Sequence, residues 1–174
     1  MCDQINNNIP KPCANTQGGV RKLYLWNYVE NPFTITGRQA TAINSALTVV
    51  YEFLLIGDDN TLSTPLIGDF KTGTKTGTET LTVMLKGINQ ASQDLLDSAA
   101  GAYLSGCVVD RNGNHLVVGF DEGFNNITVE PNTGGARADA NGYNCVFVSE
   151  AKNLPAILDS ATVTALEALV YVPA

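Results

Sequence analysis

The chain has 174 residues, 44% of them hydrophobic and only 16% charged, with a formal net charge of −7. A chain of this length is most simply one domain and can bury roughly 70% of its unfolded surface, so it needs no staple to have a core. Its ten Lys and Arg are scattered along the chain, which speaks against a surface that tracks phosphates, and no apolar run approaches the ~18 residues of a membrane span.

The opening Met-Cys-Asp-Gln-Ile-Asn-Asn-Asn has neither the basic nor the apolar region of a signal peptide. Synthesis in a cytoplasm follows as the expectation, with Cys2, Cys13, Cys107 and Cys145 as thiols. No C-x-x-C occurs, so zinc has little support. Cys107 and Cys145 stand in apolar stretches and read as small core residues.

Residues 1–17, polar with prolines at 10 and 12, read as an extended arm ahead of one domain over 18–174. From Val20 to Tyr28, β-formers fall on both faces, which suits a strand with neighbours on each side. Trp26 within it reads as a core or interface anchor. Asn31-Pro32 is a break, "FTITG" a short strand, and residues 38–48 are ambiguous, with Ala40, Ile43 and Leu47 at helical spacing but no cap. "LTVVYEFLLIG" (47–57) reads as a buried strand closed by a turn at Gly57-Asp58-Asp59-Asn60.

Lys-Thr-Gly-Thr then occurs twice in succession, at 71–74 and 75–78. A Thr/Gly tract has little to bury, so the segment from about 69 to 80 is expected to project as a loop or as the tip of a long hairpin. Lys71, Thr72, Gly73, Thr74, Lys75, Thr76, Gly77 and Thr78 are its candidate contact residues. Beyond it Leu81, Val83 and Leu85 alternate with Thr80, Thr82, Met84 and Lys86, a strand pattern. Residues 89–101 predict a helix, capped by Asn89, with Ala91, Leu95 and Ala99 in a stripe and Gly101 as a left-handed stop.

"VVDRNGNHLVVGF" (108–120) contains the only histidine. Asp110, Asn112 and Gly113 join two apolar runs, and Asn-Gly is the strongest short hairpin signal. Asp139, Asn141 and Gly142 repeat the D-x-N-G pattern before another strand, so both read as hairpin turns. A calcium loop fails on spacing, because glycine falls at position 4 and no Glu follows at 12. His115 has no second histidine or cysteine beside it and reads as an exposed strand residue. Gly68 and Gly73 have P-loop spacing, but Thr74 stands where lysine is required. "PAILDSATVTALEALVYVPA" admits a helical turn at its start, but "ALVYV" reads as a last strand. Seven or eight strands and one short helix predict a mainly β fold, an antiparallel β-sandwich or half-barrel flanked by that helix.

From residue 65 to 156 the order of elements resembles a family of virion structural proteins. A Thr/Gly-rich projecting loop leads into an alternating strand and "INQASQDLLDSAAG". "VVDRNGNHLVVGFDEG", "TGGARADANGY" and a strand running to Glu150, Pro155 and Ala156 then follow. This looks like the tail-tube and related ring-forming proteins of tailed bacteriophages. "KPCANTQGGVRKLYLWN" is also similar to the openings of small phage virion proteins, whereas residues 30–64 fall outside the likeness. The resemblance implies a non-catalytic subunit made in the host cytoplasm and resident in the virion. It implies homo-oligomeric rings, commonly hexameric and stacked, other virion proteins as partners, and no cofactor, metal or membrane. Residues 71–78 would grip the next ring, and an acidic lumen would let DNA pass without binding. The alternative is a β-sandwich module binding a carbohydrate or receptor, or another virion part such as a connector ring or decoration protein.

Overall fold

The structure, a computed structural model, describes residues 8–9 and 16–173. The greater part of the expected 1–17 arm, with Cys2 and Cys13, lies outside the described residues. In chain order the elements are β1 (Val20–Asn27), β2 (Phe33–Thr36), β3 (Gln39–Ile43), β4 (Tyr51–Leu54), β5 (Thr61–Ser63), β6 (Leu66–Asp69) and β7 (Thr74–Lys86). Then come α1 (Gln90–Ala100), β8 (Leu104–Asp110), β9 (His115–Val118), β10 (Asn126–Asn132), β11 (Gly142–Ala151), β12 (Ile157–Leu158) and α2 (Ser160–Glu167).

The protein is mainly β, with two sheets and two short helices, and it is not closed into a barrel. The larger sheet has seven strands in the order β2-β3-β12-β9-β8-β1-β4, and the smaller has five, β10-β11-β7-β5 with β6 also on β7. All named pairs are antiparallel except β12 with β3, where Ile157 faces Gln39 and Leu158 faces Ala40.

Period-2 alternation assigns the faces of β1. Leu23 and Leu25 point into a cluster with Leu81, Val83, Cys145 and Phe147 of the smaller sheet. Tyr24 and Trp26 point the other way, into a second cluster with Phe33, Val50, Val109 and Leu166 of α2. The middle of the larger sheet is thus buried on both faces, as the two-sided β1 pattern predicts. Trp26 is 1% exposed and meets Phe33 edge-on at 5.8 Å between ring centroids. Cys107 and Cys145 are free and buried, one in each cluster.

Two buried polar side chains tie the sheets together. Asn60 accepts Val20 N–H on its carbonyl at 3.0 Å, and its Oδ1 accepts Met84 N–H of β7 at 2.8 Å. Glu79 of β7 accepts Gly119 N–H, just beyond β9, at 2.7 Å. The burial of both is affordable because each is hydrogen-bonded.

Twelve strands and two helices among the described residues exceed the seven or eight strands and one helix expected. Residues 39–43 form β3 rather than a helix turn; their spacing lacked a cap to nucleate it. The helical turn that the C-terminal segment admitted extends into α2, because Asp159 accepts Thr162 N–H at 2.7 Å and so caps it. Val170 keeps only an isolated bridge to Val50. Asn89 does cap α1, its side chain accepting Ser92 N–H at 2.9 Å. Gly101, however, ends it at φ −99°, not in the left-handed region.

Gly106 of β8 packs where no side chain fits, since a Cβ there would lie 2.7 Å from the Tyr24 carbonyl oxygen. Gly106→Ala is expected to cost about 1–3 kcal/mol, the usual penalty of overpacking. Gly68, with open space around it, should accept alanine within about 0.5 kcal/mol. Urea midpoints of the two variants check the contrast.

Candidate functional site

The 47–57 run was expected to be buried. Only Tyr51–Leu54 form a strand, β4, and it lies at an edge of the larger sheet with its end residues exposed. Its backbone polarity can be read from the register. Leu55 donates to the Arg21 carbonyl at 2.9 Å, and inward bonds fall on alternate residues of an antiparallel pair. Residues 51, 53 and 55 therefore bond to β1, while 50, 52 and 54 face away from it. Val50 agrees with this, donating to the Leu169 carbonyl at 3.0 Å and accepting Tyr171 N–H at 2.8 Å. The next step of that parallel ladder would need an N–H from residue 173, which is proline, so the ladder stops. The outward N–H and C=O groups of Glu52 and Leu54 stay open at the edge.

Apart from Glu52, the side chains along this edge are apolar. Leu54 is 66% exposed, and Val49, Tyr51, Ile56, Tyr171 and Val172 are exposed as well. Tyr51 and Tyr171 lie 5.7 Å apart between ring centroids. Lys22 and Glu52 form an ion pair at 3.3 Å across β1 and β4.

Beside β4 an open cavity of about 210 Å³ runs beneath α1, its walls chiefly Leu25, Phe53, Leu85, Leu95, Ala99 and Ala102. Its size follows from how the helix sits. Leu96 is the one fully buried side chain of α1, while Leu95, expected in the inward stripe, is 50% exposed at the mouth. Asp94 and Asp97 give the helix two carboxylates and no cation.

The Thr/Gly tract is a hairpin, not a loop. β6 pairs with the start of β7, Leu66 facing Gly77 and Asp69 facing Thr74, and residues 70–73 make the turn. β11 reaches only as far as Gly77, so Thr74, Lys75 and Thr76 extend past it with β6 as their one strand partner, and Lys75 Nζ donates to Asn153 Oδ1 at 2.8 Å. Lys71, Thr72, Gly73, Thr74, Lys75 and Thr76 are exposed, as is Thr78. Gly77 is buried, because a Cβ there would meet the Pro65 carbonyl oxygen at 2.8 Å. Phe70 at the tip is 97% exposed and Ile67 also stands out to solvent.

Asp110, Asn112 and Gly113 form the β8–β9 turn. Asp110 accepts the Asn112 and Asn114 N–H groups at 2.8 Å and the Asn114 side-chain amide at 2.8 Å. Partial burial works against its charge, but these bonds outweigh it and hold the carboxyl below its ordinary value. Only Gly113 takes a positive φ, 88°, so the connection is a three-residue loop with one left-handed residue rather than a two-residue turn. The second D-x-N-G is built differently. Asp139 folds back to accept the Gly135 and Ala136 N–H groups at 2.8 and 2.6 Å. Asn141 ends that nine-residue loop and Gly142 already belongs to β11, facing Asn132. His115 is buried, not exposed, with its ring stacked near Tyr24 and Nδ1 3.1 Å from the Gly113 carbonyl; burial lowers its pKa.

Glu79 went unremarked in the sequence, although it stands on the same parity as Leu81, Val83 and Leu85 and so had to point inward. It is 3% exposed. Oε2 accepts both Gly119 N–H and Ser149 Oγ–H at 2.7 Å, and Ser105 Oγ donates to the Gly119 carbonyl at 2.9 Å. Burial first, and then the nearby Asp121 charge, push its pKa up against those two hydrogen bonds. The carboxyl borders a small cavity of about 90 Å³ shared with Arg38 and Asp121. Among the described residues no group of three His, Cys, Asp or Glu side chains could hold a metal ion.

A carboxyl with a raised folded-state pKa binds its proton more tightly in the folded chain than in the unfolded one. It therefore lowers stability as pH rises from the ordinary glutamate range through the raised value. Glu79→Gln keeps an acceptor for Gly119 and Ser149 and should flatten that slope. Glu79→Ala strands two buried donors and should cost about 1–3 kcal/mol at every pH. Denaturant titrations between pH 4 and pH 8, values of roughly the range in which such groups titrate, separate the two.

No protein-family model matches the chain, and no curated protein or solved structure is significantly similar to it.

Proposed function

We propose that this chain is a non-catalytic structural subunit that acts by assembling with copies of itself, in the manner of a phage tail-tube protein. In this reading the two sheets work as a sandwich, and copies join into stacked rings around a DNA-conducting channel within a virion. One observation carries the reading. The β4 edge offers outward backbone groups at Glu52 and Leu54 together with exposed apolar side chains. Such an edge invites another strand, and chains that stay apart usually cover or charge it. The C-terminal segment covers only Val50.

Two further features fit. The hairpin at 66–77 extends beyond the sheet that bears it, which is what a contact between rings requires. A net charge of −7 suits a lumen that repels phosphates rather than one that grips them. The carbohydrate-binding alternative loses Trp26, which is in the core, and is left with the exposed rings of Tyr51, Tyr103 and Tyr171 as stacking platforms.

Leu54→Lys puts a charge on the open edge at a side chain that contributes little to the core. Its folding stability should stay within about 0.5 kcal/mol of the parent. Negative-stain microscopy and sedimentation across a concentration series should show rings or tubes for the parent and single subunits for the variant. A parent that stays monomeric at every concentration, or a variant that assembles equally well, would sink the proposal.

A further inference from the structure

The 66–77 hairpin and the cavity beneath α1 have complementary chemistry, and they lie far apart. β7 starts at the hairpin, at Thr74, and ends at Lys86, beside cavity-lining Leu85. Thirteen residues of strand at ~3.3 Å each put the two features roughly 40 Å apart. Neither can satisfy the other within one copy.

We infer that Phe70 of one copy seats in the cavity beneath α1 of the next. This inference rests on the self-assembly reading above and gives it a specific contact. Phe70 has almost no contact with its own chain, so its ring is a free apolar knob. The cavity, about 210 Å³ and lined by Leu25, Phe53, Leu85, Leu95, Ala99 and Ala102, has apolar walls and no side chain of its own filling it. An apolar cavity of about 150 Å³ takes a benzene ring, so one phenyl group fits with room for Ile67 at the mouth.

Because knob and cavity are different patches at opposite ends of β7, the contact is head-to-tail. Such contacts propagate from copy to copy instead of closing a two-fold dimer, and here they propagate along the β7 direction.

The test uses the full chain and two variants. Phe70→Ser changes a side chain that nothing in its own fold leans on, so the variant stays folded. Loss of a buried phenyl group should weaken assembly at least about tenfold in sedimentation velocity. The second variant carries benzoylphenylalanine at position 70, is irradiated after assembly, and has its cross-linked peptides mapped. Cross-links from position 70 to residues 95–102 or 51–53 of another copy are expected. If the parent assembles while Phe70→Ser assembles equally well, or the cross-links fall elsewhere, the seat is wrong and self-assembly stands. If the parent never assembles, the self-assembly reading itself fails and the seat with it.

Discussion

Both faces of the β1–β8 pair are buried, and this constraint decides where the molecule can meet anything else. One face is taken by the smaller sheet through Leu81, Val83 and Phe147, the other by α2 and the strands around Phe33 and Val50. With the faces occupied, the open places are edges, hairpin tips and helix flanks. The chain treats these unequally. β10 carries Pro131 along its edge, a residue that cannot donate to a new ladder. β4 is closed at Val50 by the C-terminal segment and then left open where Pro173 ends the pairing. The apolar cavity beneath α1 borders that opening through Tyr51 and Phe53, so edge and cavity form one continuous apolar surface.

The sheets keep their relation through polar ties as well as apolar packing. Asn60 and Glu79 each join β7 to a strand or turn of the larger sheet. A slip of β7 by one residue would turn Glu79 out to solvent and its threonine neighbours into the core. The carboxyl thus fixes register at the cost of holding an ionisable group in a dry place. Burial accordingly raises its pKa. Ser149, directly opposite Glu79 on β11, and Gly119 supply the bonds that make it tolerable.

Much of this was legible in the sequence, for reasons tied to particular residues. β1 and β7 declare their faces because β-formers alternate over eight or more positions, and Asn89 announces α1 because its side chain has one obvious use. The turn at Asp110-Arg111-Asn112-Gly113 was legible for the same reason. What stayed hidden depends on tertiary neighbours. An apolar run such as 47–57 looks the same whether it ends up central or at an edge, and only the placement of residues 169–171 decides which. Leu95 and Leu96 are indistinguishable by type, so the helix could be rotated by one position without any change in pattern. β5, β6 and β12, of two to four residues, are too short to carry a period. Glu79 is the exception that could have been read. An acid on the inward parity of an alternating strand announces a buried carboxyl that some partner must satisfy.

In the proposed assembly the β4 edge is covered by another copy, and amide hydrogen exchange reads that contact residue by residue. In dilute solution the Glu52 and Leu54 amides, which face away from β1, should exchange fast while those of Phe53 and Leu55 are protected. Raising the concentration into the assembling range should slow Glu52 and Leu54 by at least about tenfold and leave Phe53 and Leu55 unchanged. Large particles in which Glu52 and Leu54 still exchange as fast as in the monomer would contradict the account.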